Sequence, residues 1–240
     1  MHLILDIGNS KIKYHLFEQK VRKNGGDLTT MQGLEAKLLL DYPAITDVIY
    51  SDVSGKYSLK DVEKLFPRLR VKTVKQMRLP FQSHYTTSAT LGEDRIALVA
   101  AAVLKFPQQN CLIIDAGSCL TFDLLTQDNI YLGGAISPGM SMRYKSMHHF
   151  TGKLPFIESR EAPKLWGDST ENALSAGVIQ GMLHEIDGQI ESYLNFFSSL
   201  TVILTGGDAQ YLSKSVKNTI FAKPNFLAEG LDYLLDYNKN

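Results

Sequence analysis

The chain has 240 residues, a hydrophobic fraction of 44% and a formal net charge of zero. This length allows one large domain or two of ordinary size with a sizeable core, and the balanced charge gives no general attraction to nucleic acid or to an anionic membrane. Apolar stretches stay well below the roughly 18 residues of a membrane-spanning helix, and the N-terminus lacks the basic start and apolar segment of a signal peptide, so we expect a cytoplasmic protein that binds no nucleic acid and no membrane.

Sequence patterns in the first half alternate between strand and helix. Apolar or alternating runs between turn residues predict strands at residues 2–6, 11–17, 47–51 and 69–74. Helical patterns predict helices at residues 31–41 and 59–66, and a third that opens at residues 92–95 (Gly-Glu-Asp-Arg) and ends at Pro107. The cluster at residues 24–27 (Asn-Gly-Gly-Asp) predicts a turn.

The pattern restarts after the polar stretch at residues 107–110. Strands are predicted at residues 111–115, 119–125, 130–135 and 202–204, and helices at residues 140–150, 170–196 and 227–237, with a further helix beginning at residue 208. Strands come first and helices later in each half. This order predicts a duplicated α/β unit with domains at residues 1–109 and 110–240, and with the functional site at the interface between the halves.

The same short pattern opens both halves. An apolar run ends in an acid, a glycine follows two residues later, and a small hydroxyl residue comes just after: Asp6, Gly8 and Ser10, then Asp115, Gly117 and Ser118. Apolar alternation on both sides of a glycine turn predicts a β-hairpin with the acid at its tip. Glycine backbone lets a phosphate approach closely, so two facing tips could hold a metal–nucleotide complex. The alternative is that both are ordinary tight turns in which Asp is a turn former.

The first turn has the residue types of a phosphate site. Neither a P-loop sequence nor a Gly-x-Gly-x-x-Gly helix opening occurs in the chain, so a nucleotide would have to bind through other turns. Asp6 could bind the water ligands of Mg²⁺, which keeps much of its hydration and prefers one or two carboxylates plus phosphate oxygens. The amides of residues 8–10 could line a phosphate, and Lys11 or Lys13 could add positive charge.

Two further turns carry candidate chemistry. Residues 205–209 (Thr-Gly-Gly-Asp-Ala) end a predicted strand, and the paired glycines let a purine ring or a ribose lie against the backbone; the alternative is a simple strand-to-helix turn with Asp208 as N-cap. Residues 92–95 place Asp94, a candidate general base, beside Arg95, a candidate anion clamp, at a helix start. The alternative there is that the acids only offset the helix dipole and that Arg95 pairs with one of them.

Eight sequence motifs follow one another over nearly the whole chain. They are DIGNS at residues 6–10, GEDR at 92–95, DAGS at 115–118, GGAISPG at 133–139, TGKLP at 151–155, TENALSAG at 170–177, TGGDA at 205–209 and EGLDYLLDYN at 229–238. In order and spacing they resemble the type III pantothenate kinases, a family of the acetate kinase, sugar kinase, Hsp70 and actin superfamily. Residues 53–80 carry little of this resemblance.

The resemblance implies an α/β fold of the actin-like ATPase type, with two RNase H-like domains and the active site in the cleft between them. It implies an enzyme that uses ATP to phosphorylate pantothenate to 4′-phosphopantothenate, the first step of coenzyme A biosynthesis. It further implies a monovalent cation, K⁺ or NH₄⁺, beside ATP and Mg²⁺, and a homodimer as the assembled form.

Residue roles follow from the positions that match the family. By resemblance, Asp94 is the proton acceptor and Asp115 binds the monovalent cation. From the turns and the resemblance together, the expected nucleotide-binding residues are Asp6, Ile7, Gly8, Asn9, Ser10, Lys11, Ile12, Lys13, Ser118, Gly206 and Gly207. The expected pantothenate-binding residues are Tyr85, Gly92, Glu93, Asp94, Arg95 and Thr170. Ser118 stands where the family commonly has threonine, and the hydroxyl is kept.

Two other functions stay open on the sequence. One is a non-catalytic nucleotide-binding relative, such as an actin-like or Hsp70-like switch. Such a protein needs no base for a small alcohol, so the presence of Asp94 and Arg95 disfavours it. The other is a kinase for another small hydroxy acid, which the motif order disfavours although the substrate pocket itself cannot be read from the sequence.

Overall fold

A β-hairpin built around Asp6 begins the structure, a computed structural model that describes residues 1–9, 11–161, 164–218 and 220–239 and, for residues 35–37, the backbone alone. The first strand, β1 (His2–Ile7), pairs antiparallel with β2 (Ile12–Glu18), and Ile7 lies opposite Ile12 beside the turn. The hairpin predicted from the first Asp-x-Gly pattern is therefore confirmed.

The other elements follow in chain order. They are β3 (Val21–Leu28), α1 (Leu34–Asp41), β4 (Asp47–Asp52), α2 (Leu59–Leu65), β5 (Arg70–Thr73), β6 (Gln82–Ser83), α3 (Glu93–Lys105), β7 (Cys111–Ala116), β8 (Cys119–Leu125), β9 (Ile130–Pro138), α4 (Met140–His149), α5 (Thr170–Leu194), β10 (Thr201–Thr205), α6 (Ala209–Leu212), β11 (Phe221–Ala222) and α7 (Phe226–Tyr237). Among the residues described, no helix combines the length and the apolar character needed to cross a membrane.

The first compact unit comprises Met1–Pro107, Asn129–Tyr131 and Asn225–Asn240. Its five-stranded sheet has the order β3-β2-β1-β4-β5, with β4 parallel to β1 and β5 parallel to β4. Leu3, Leu5 and Ile7 of β1 join apolar residues of α1 and α2 in one core. Helices α3 and α7 pack against each other and contact β4, and α7 also contacts β1.

The turn predicted at residues 24–27 is wrong, because these residues lie inside β3. There they pair with β2, with Gly25 opposite His15 and Gly26 opposite Tyr14. A Cβ at Gly25 would lie 2.6 Å from the Tyr14 carbonyl oxygen, so glycine here serves a close approach between strands. The chain reverses earlier, at Gln19 and Lys20, whose φ angles are 51° and 64°.

The second compact unit comprises Gln108–Asp128 and Leu132–Pro224. Its strands follow the order β11-β10-β7-β8-β9, and the first residues of β9, Ile130 and Tyr131, belong to the first unit, where they pair with β6. Apolar residues of β7 and β8 pack with those of α4 and α5 in a second core. The long helix α5 carries a buried row for this purpose, which includes Val178, Met182 and Ile186.

The two units share one strand arrangement. In the first, β1 lies between antiparallel β2 and parallel β4. In the second, β7 lies between antiparallel β8 and parallel β10. Each unit also covers its sheet with helices, so the predicted duplicated α/β unit is confirmed.

The compact units differ from the expected domain ranges in two places. The chain leaves the first unit after Pro107, close to the expected boundary, but the C-terminal segment Asn225–Asn240 and the short piece Asn129–Tyr131 also belong to the first unit. The C-terminal segment belongs to the first unit because α7 packs its apolar residues against α3, β1 and β4. The domain ranges 1–109 and 110–240 stay a prediction.

Candidate active site

The carboxyl ends of the parallel strands in the first unit lie side by side. Strand β4 runs beside β1 with Ser51 opposite Asp6, and β5, next to β4, ends at Thr73. The Ser51 hydroxyl lies 3.5 Å from Asp6 Oδ1. Ligand-binding residues of α/β sheets concentrate at this edge, because the loops that follow the strands meet there.

Helix α3 brings Asp94 and Arg95 to this edge. Gly92 precedes the helix in an extended conformation, and Asp94 lies in the first turn. Asp94 Oδ1 accepts a hydrogen bond of 2.8 Å from the Arg95 amide, which fixes the carboxylate at the helix start. Burial raises the pKa of Asp94, although this hydrogen bond and the charge of Arg95 oppose the rise.

Asp6 and Asp94 act on each other electrostatically. Burial raises the pKa of Asp6, the positive charge of Lys13 opposes that rise, and the negative charge of Asp94 adds to it. A cation between two such carboxylates would lower the free energy of ionising both.

This charge arrangement fits Mg²⁺ bound through water. Within the described residues, no group of three or more His, Cys, Asp and Glu side chains is arranged to hold a metal ion. Mg²⁺ does not need such a group, since one or two carboxylates suffice when water and phosphate oxygens supply the other ligands. Asp6 and Asp94 therefore suit a metal that arrives with a nucleotide.

An aromatic stack supports Arg95. This side chain is buried, and its guanidinium carbon lies 5.5 Å from the centre of the Tyr85 ring. Tyr85 in turn stacks on Tyr131, with 6.1 Å between the ring centres. A guanidinium held on an aromatic face away from water can bind a carboxylate strongly. The first unit thus brings Tyr85, Gly92, Asp94 and Arg95 together.

The turn between β1 and β2 differs in detail from the expected phosphate site. The Gly8 amide donates to the Lys11 carbonyl at 3.0 Å, so it is used within the turn. Lys11 forms an exposed ion pair of 2.8 Å with Asp27. Lys56, from the loop after β4, donates to the Asn9 carbonyl at 3.4 Å. Lys56 therefore brings a positive charge to this turn, and the sequence patterns had not indicated this lysine.

The remaining residues of this segment have different surroundings. Ile7 and Ile12 are buried in the core of the first unit, so they can reach a nucleotide only through their backbone. Lys13 is half-buried, and its charge acts on Asp6. Ser10 lies outside the described residues.

Glu93 is turned into the protein. Its side chain accepts hydrogen bonds from the Thr73 hydroxyl and from the Asp52 amide. These contacts orient the carboxylate toward the strand ends, in contrast with the expected contact to pantothenate.

In the second unit, Asp115 packs against glycine backbone. Gly206 follows β10 with a φ of 97°, and a Cβ there would lie 2.3 Å from Asp115 Oδ1 and 2.5 Å from the Ala116 carbonyl oxygen. Both the φ angle and the space therefore require glycine. The Asp208 amide donates to the Ala116 carbonyl at 3.0 Å, which joins the two turns. A carboxylate with a backbone carbonyl close to it offers oxygen ligands of the kind that K⁺ takes.

Asp208 is at the N-cap position of α6, but its carboxylate is engaged elsewhere. Arg160 forms an ion pair of 2.8 Å with Asp208 Oδ1. Burial raises the pKa of Asp208, and the charge of Arg160 opposes the rise. Ser118, in the turn at residues 115–118, and Gly207, in the turn at residues 205–209, are both exposed. The residues 205–209 thus form a turn whose glycines are accessible and whose acid is held by an arginine.

Thr170 is the first residue of α5 and is exposed. Its neighbour Ser169 caps the helix by accepting a hydrogen bond of 3.2 Å from the Asn172 amide. Thr170 belongs to the second unit, whereas the other expected pantothenate-binding residues belong to the first.

Sequence reasoning missed the residues that support Asp6 and α3. Ser51, Asp52 and Thr73 all lie at the carboxyl ends of parallel strands. The available signal was their position, since the predicted strands 47–51 and 69–74 end there and parallel strands end at one edge of a sheet. Tyr131 was missed for another reason, because its stacking on Tyr85 joins segments far apart in sequence.

Comparisons with known proteins agree on one family. A sequence profile of the type III pantothenate kinases matches residues 2–192. A type III pantothenate kinase of Christiangramia forsetii is 46% identical over 247 aligned positions, which cover 100% of this chain and 99% of that protein.

Solved structures support the fold. A Campylobacter jejuni protein described as a Baf family transcriptional activator is 24% identical, with a TM-score of 0.62 and 98% of each chain covered. An activator of the 2-hydroxyisocaproyl-CoA dehydratase from Clostridium difficile, solved with bound ADPNP, is 11% identical, with a TM-score of 0.55 and coverage of 98% of this chain and 94% of that one. These likenesses confirm the predicted actin-like ATPase fold class.

The profile match and the full-length relative carry the assignment. The chain belongs to the type III pantothenate kinases.

Proposed function

We propose that this protein catalyses the reaction of its family with Asp94 as the base. The γ-phosphoryl group of ATP is transferred to the primary hydroxyl of pantothenate, which gives 4′-phosphopantothenate and ADP, the first step of coenzyme A biosynthesis. The observation that carries the proposal is the placement of Asp94 in the first turn of α3, beside Arg95 and within electrostatic reach of Asp6.

Asp94 has the properties of a general base for an alcohol. Its carboxylate is held by the Arg95 amide, and its raised pKa increases its affinity for a proton. A base with a raised pKa accepts the hydroxyl proton more readily as the new oxygen–phosphorus bond forms, as long as it stays ionised at the working pH. Phosphoryl transfer otherwise asks the protein mainly for positioning and for charge neutralisation.

Arg95 is suited to bind the carboxylate of pantothenate. Its guanidinium is held over the ring of Tyr85, so it is oriented before the substrate arrives. The proposed substrate contacts are Tyr85, Gly92, Asp94, Arg95 and Thr170. Binding the carboxylate at Arg95 would place the rest of the molecule for reaction at Asp94, the preceding residue in the helix.

The nucleotide is proposed to contact the backbone of residues 7–13 and the residues Ser118, Gly206 and Gly207. Asp6 would hold Mg²⁺ through water, with Lys13 beside it. When bound, ATP with Mg²⁺ supplies the phosphoryl group and offsets part of its negative charge. Asp115, packed against the backbone of Gly206, would hold K⁺ or NH₄⁺.

Two further features of the proposal concern the whole protein. We propose a homodimer, as the family resemblance implies. We also propose the cytoplasm as its location, since the reaction draws on the cellular ATP supply.

The test is a coupled spectrophotometric assay of ADP release, together with detection of phosphopantothenate by mass spectrometry. The purified protein should release ADP in proportion to the phosphopantothenate formed, and only when pantothenate is present. ADP release with another small hydroxy acid but not with pantothenate would move the assignment to a different substrate. Nucleotide binding without turnover of any such acid would support a non-catalytic relative.

A further inference from the structure

Glu93 is a buried carboxylate next to the proposed base, and the proposed reaction gives it no chemical role. It is the first residue of α3, and only 6% of it is exposed. An acid in the first turn of a helix commonly stays in water while it offsets the helix dipole. Burial here raises the pKa of Glu93, against the effect of its hydrogen bonds. A buried acid of this kind needs specific partners to be tolerated.

Those partners come from two strands. Glu93 Oε1 accepts a hydrogen bond of 3.0 Å from the Thr73 hydroxyl, at the end of β5. Glu93 Oε2 accepts one of 3.3 Å from the amide of Asp52, the last residue of β4. Lys75 lies 3.9 Å from Oε1 and adds a partial charge balance. One carboxylate thus connects the start of α3 to the ends of β4 and β5.

The connected residues adjoin both proposed reacting groups. Asp52 follows Ser51, whose hydroxyl lies 3.5 Å from Asp6. Glu93 directly precedes Asp94. The path from Asp6 to Asp94 therefore runs through one pair of strand-end residues and one buried side chain. A shift of about 1 Å in a reacting group can lower a rate by roughly 100-fold, so the accuracy of this link matters for catalysis.

We infer that Glu93 is a positioning residue for the phosphoryl transfer. It fixes the start of α3 on the ends of β4 and β5 and so sets the place of Asp94 relative to Asp6. The inference rests on the proposed role of Asp94. The expected contact of Glu93 with pantothenate stays a prediction, and the positioning role is inferred because both side-chain oxygens of Glu93 are hydrogen-bonded within the protein.

The test compares Glu93→Gln with Thr73→Val and with the control Glu229→Gln. Gln keeps the shape of Glu, but its NH₂ group cannot accept a hydrogen bond. One of the two donors, the Thr73 hydroxyl or the Asp52 amide, therefore loses its acceptor. Thr73→Val keeps the side-chain volume and removes the hydroxyl donor, together with the hydrogen bond that the Thr73 hydroxyl accepts from the Gln76 amide. Glu229, a partly exposed residue of α7, pairs at 3.2 Å with Lys105 at the other end of α3, so Glu229→Gln removes a charged contact of the same helix away from the site. Steady-state kinetics, direct ATP binding and thermal melting are measured for each variant.

Glu93→Gln should lower kcat by roughly 10- to 100-fold while the KM for pantothenate and the Kd for ATP change by less than about 3-fold. Thr73→Val should lower kcat in the same way by a smaller factor, and the double variant should lose less than the product of the two factors because both changes break one link. Glu229→Gln should keep kcat within about 2-fold, as expected for a surface pair.

Three results would overturn the inference. A rise in KM for pantothenate at constant kcat would make Glu93 a substrate ligand. A lower melting temperature with normal kcat in the folded protein would make its role purely structural. Normal kinetics for Thr73→Val would show that the proposed link between α3 and β5 has no effect on catalysis. This variant also tests the inference if Glu93→Gln does not fold. Failure of the wild-type protein to phosphorylate pantothenate would instead refute the proposed function itself.

Discussion

The two Asp-x-Gly turns have almost the same local sequence but different surroundings. Asp6 lies at a strand edge where side chains gather, with Ser51 at 3.5 Å and with charges of Lys13 and Asp94 acting on it. Asp115 lies at a strand end where its carboxylate packs against main chain, because Gly206 allows the backbone after β10 to approach it closely. The same hairpin thus places one acid near charged groups and the other against glycine backbone.

The difference comes from the neighbouring parallel strand rather than from the hairpin. Beside β1, β4 ends in Ser51 and Asp52, and α3 arrives with its acids. Beside β7, β10 ends in Thr205 and is followed by two glycines. A duplicated fold can therefore keep its frame while the neighbouring strand changes the surroundings of the acid in each hairpin.

The largest expected effect concerns the side with the charged groups. Asp94→Asn keeps the shape and the hydrogen bond to the Arg95 amide but removes the base. We expect kcat to fall by ~10²-fold or more with ATP binding largely retained, measured by ADP release and by direct ATP titration. A variant with near-normal kcat would mean that another group accepts the proton and that the acids of α3 serve only its dipole.

Much of the frame could be predicted from the sequence, because apolar periodicity and glycine turns are local signals. The two hairpins, the strands at residues 47–51 and 69–74 and the helix α3 with its GEDR start were predicted from such signals and are present. The strand β3 was not, since its two glycines signal a turn locally and are explained only by the approach of Tyr14 across the sheet.

The site was predictable in part for the same reason. Asp94 and Arg95 are neighbours in sequence, so their shared helix start was readable. The inward orientation of Glu93 was not, because it depends on Thr73 and Asp52, which are distant in sequence. The local pattern identifies the candidate acids, whereas the packing of the strand ends decides which acid is turned into the protein.

The second prediction tests the proposed role of the acid on the backbone side. Asp115→Ala should lose most activity, about 10-fold or more, and with it any gain in rate when Na⁺ is replaced by K⁺ or NH₄⁺. The physical reason is that a weakly hydrated cation held there would offset negative charge on the phosphates. ADP release is measured at fixed ionic strength in the three salts. Equal wild-type rates in Na⁺ and K⁺ would reject the cation site and leave the kinase assignment in place.

The third prediction tests the close approach that distinguishes the backbone side. Gly206→Ala forces a side chain into a φ of 97° and against Asp115, so we expect a loss of about 1–3 kcal/mol in the free energy of unfolding. For a chain of this size that corresponds to roughly 2–4 °C in Tm per kcal/mol. Gly207→Ala is the matched control, since no described atom lies within 4 Å of a Cβ at that position. Equal melting temperatures for the two variants would show that the approach is not required.

The smallest expected effect is on the pH dependence of stability, to which Asp6 and Asp47, two acids of the same sheet, contribute with opposite sign. Burial raises the pKa of Asp6 in the fold, so its ionisation opposes folding. Burial also acts on Asp47, but hydrogen bonds from Arg70 and Thr46 outweigh it and lower the pKa of Asp47. Asp6 therefore gives a stabilising contribution that is full below the unfolded pKa of 3.8 and is lost as the pH rises through its folded pKa. Asp47 gives one that is present above 3.8 and is lost as the pH falls through its folded pKa.

Substitution by Asn should therefore have opposite consequences at the two positions. In the absence of nucleotide and divalent ions, Asp6→Asn should raise Tm relative to the wild type by an amount that grows as the pH rises from 3.8 through the folded pKa of Asp6. Asp47→Asn should lower Tm by an amount that develops as the pH rises through the folded pKa of Asp47 toward 3.8 and that is nearly constant above about pH 5. Shifts of a few degrees would correspond to about 1 kcal/mol each. Melting curves at low salt from pH 3 to pH 8 measure both differences. If Asp6→Asn lowers Tm at pH 7, Asp6 stabilises its turn as an ordinary turn former, and the contrast between a carboxylate kept for chemistry and one kept for stability fails at this position.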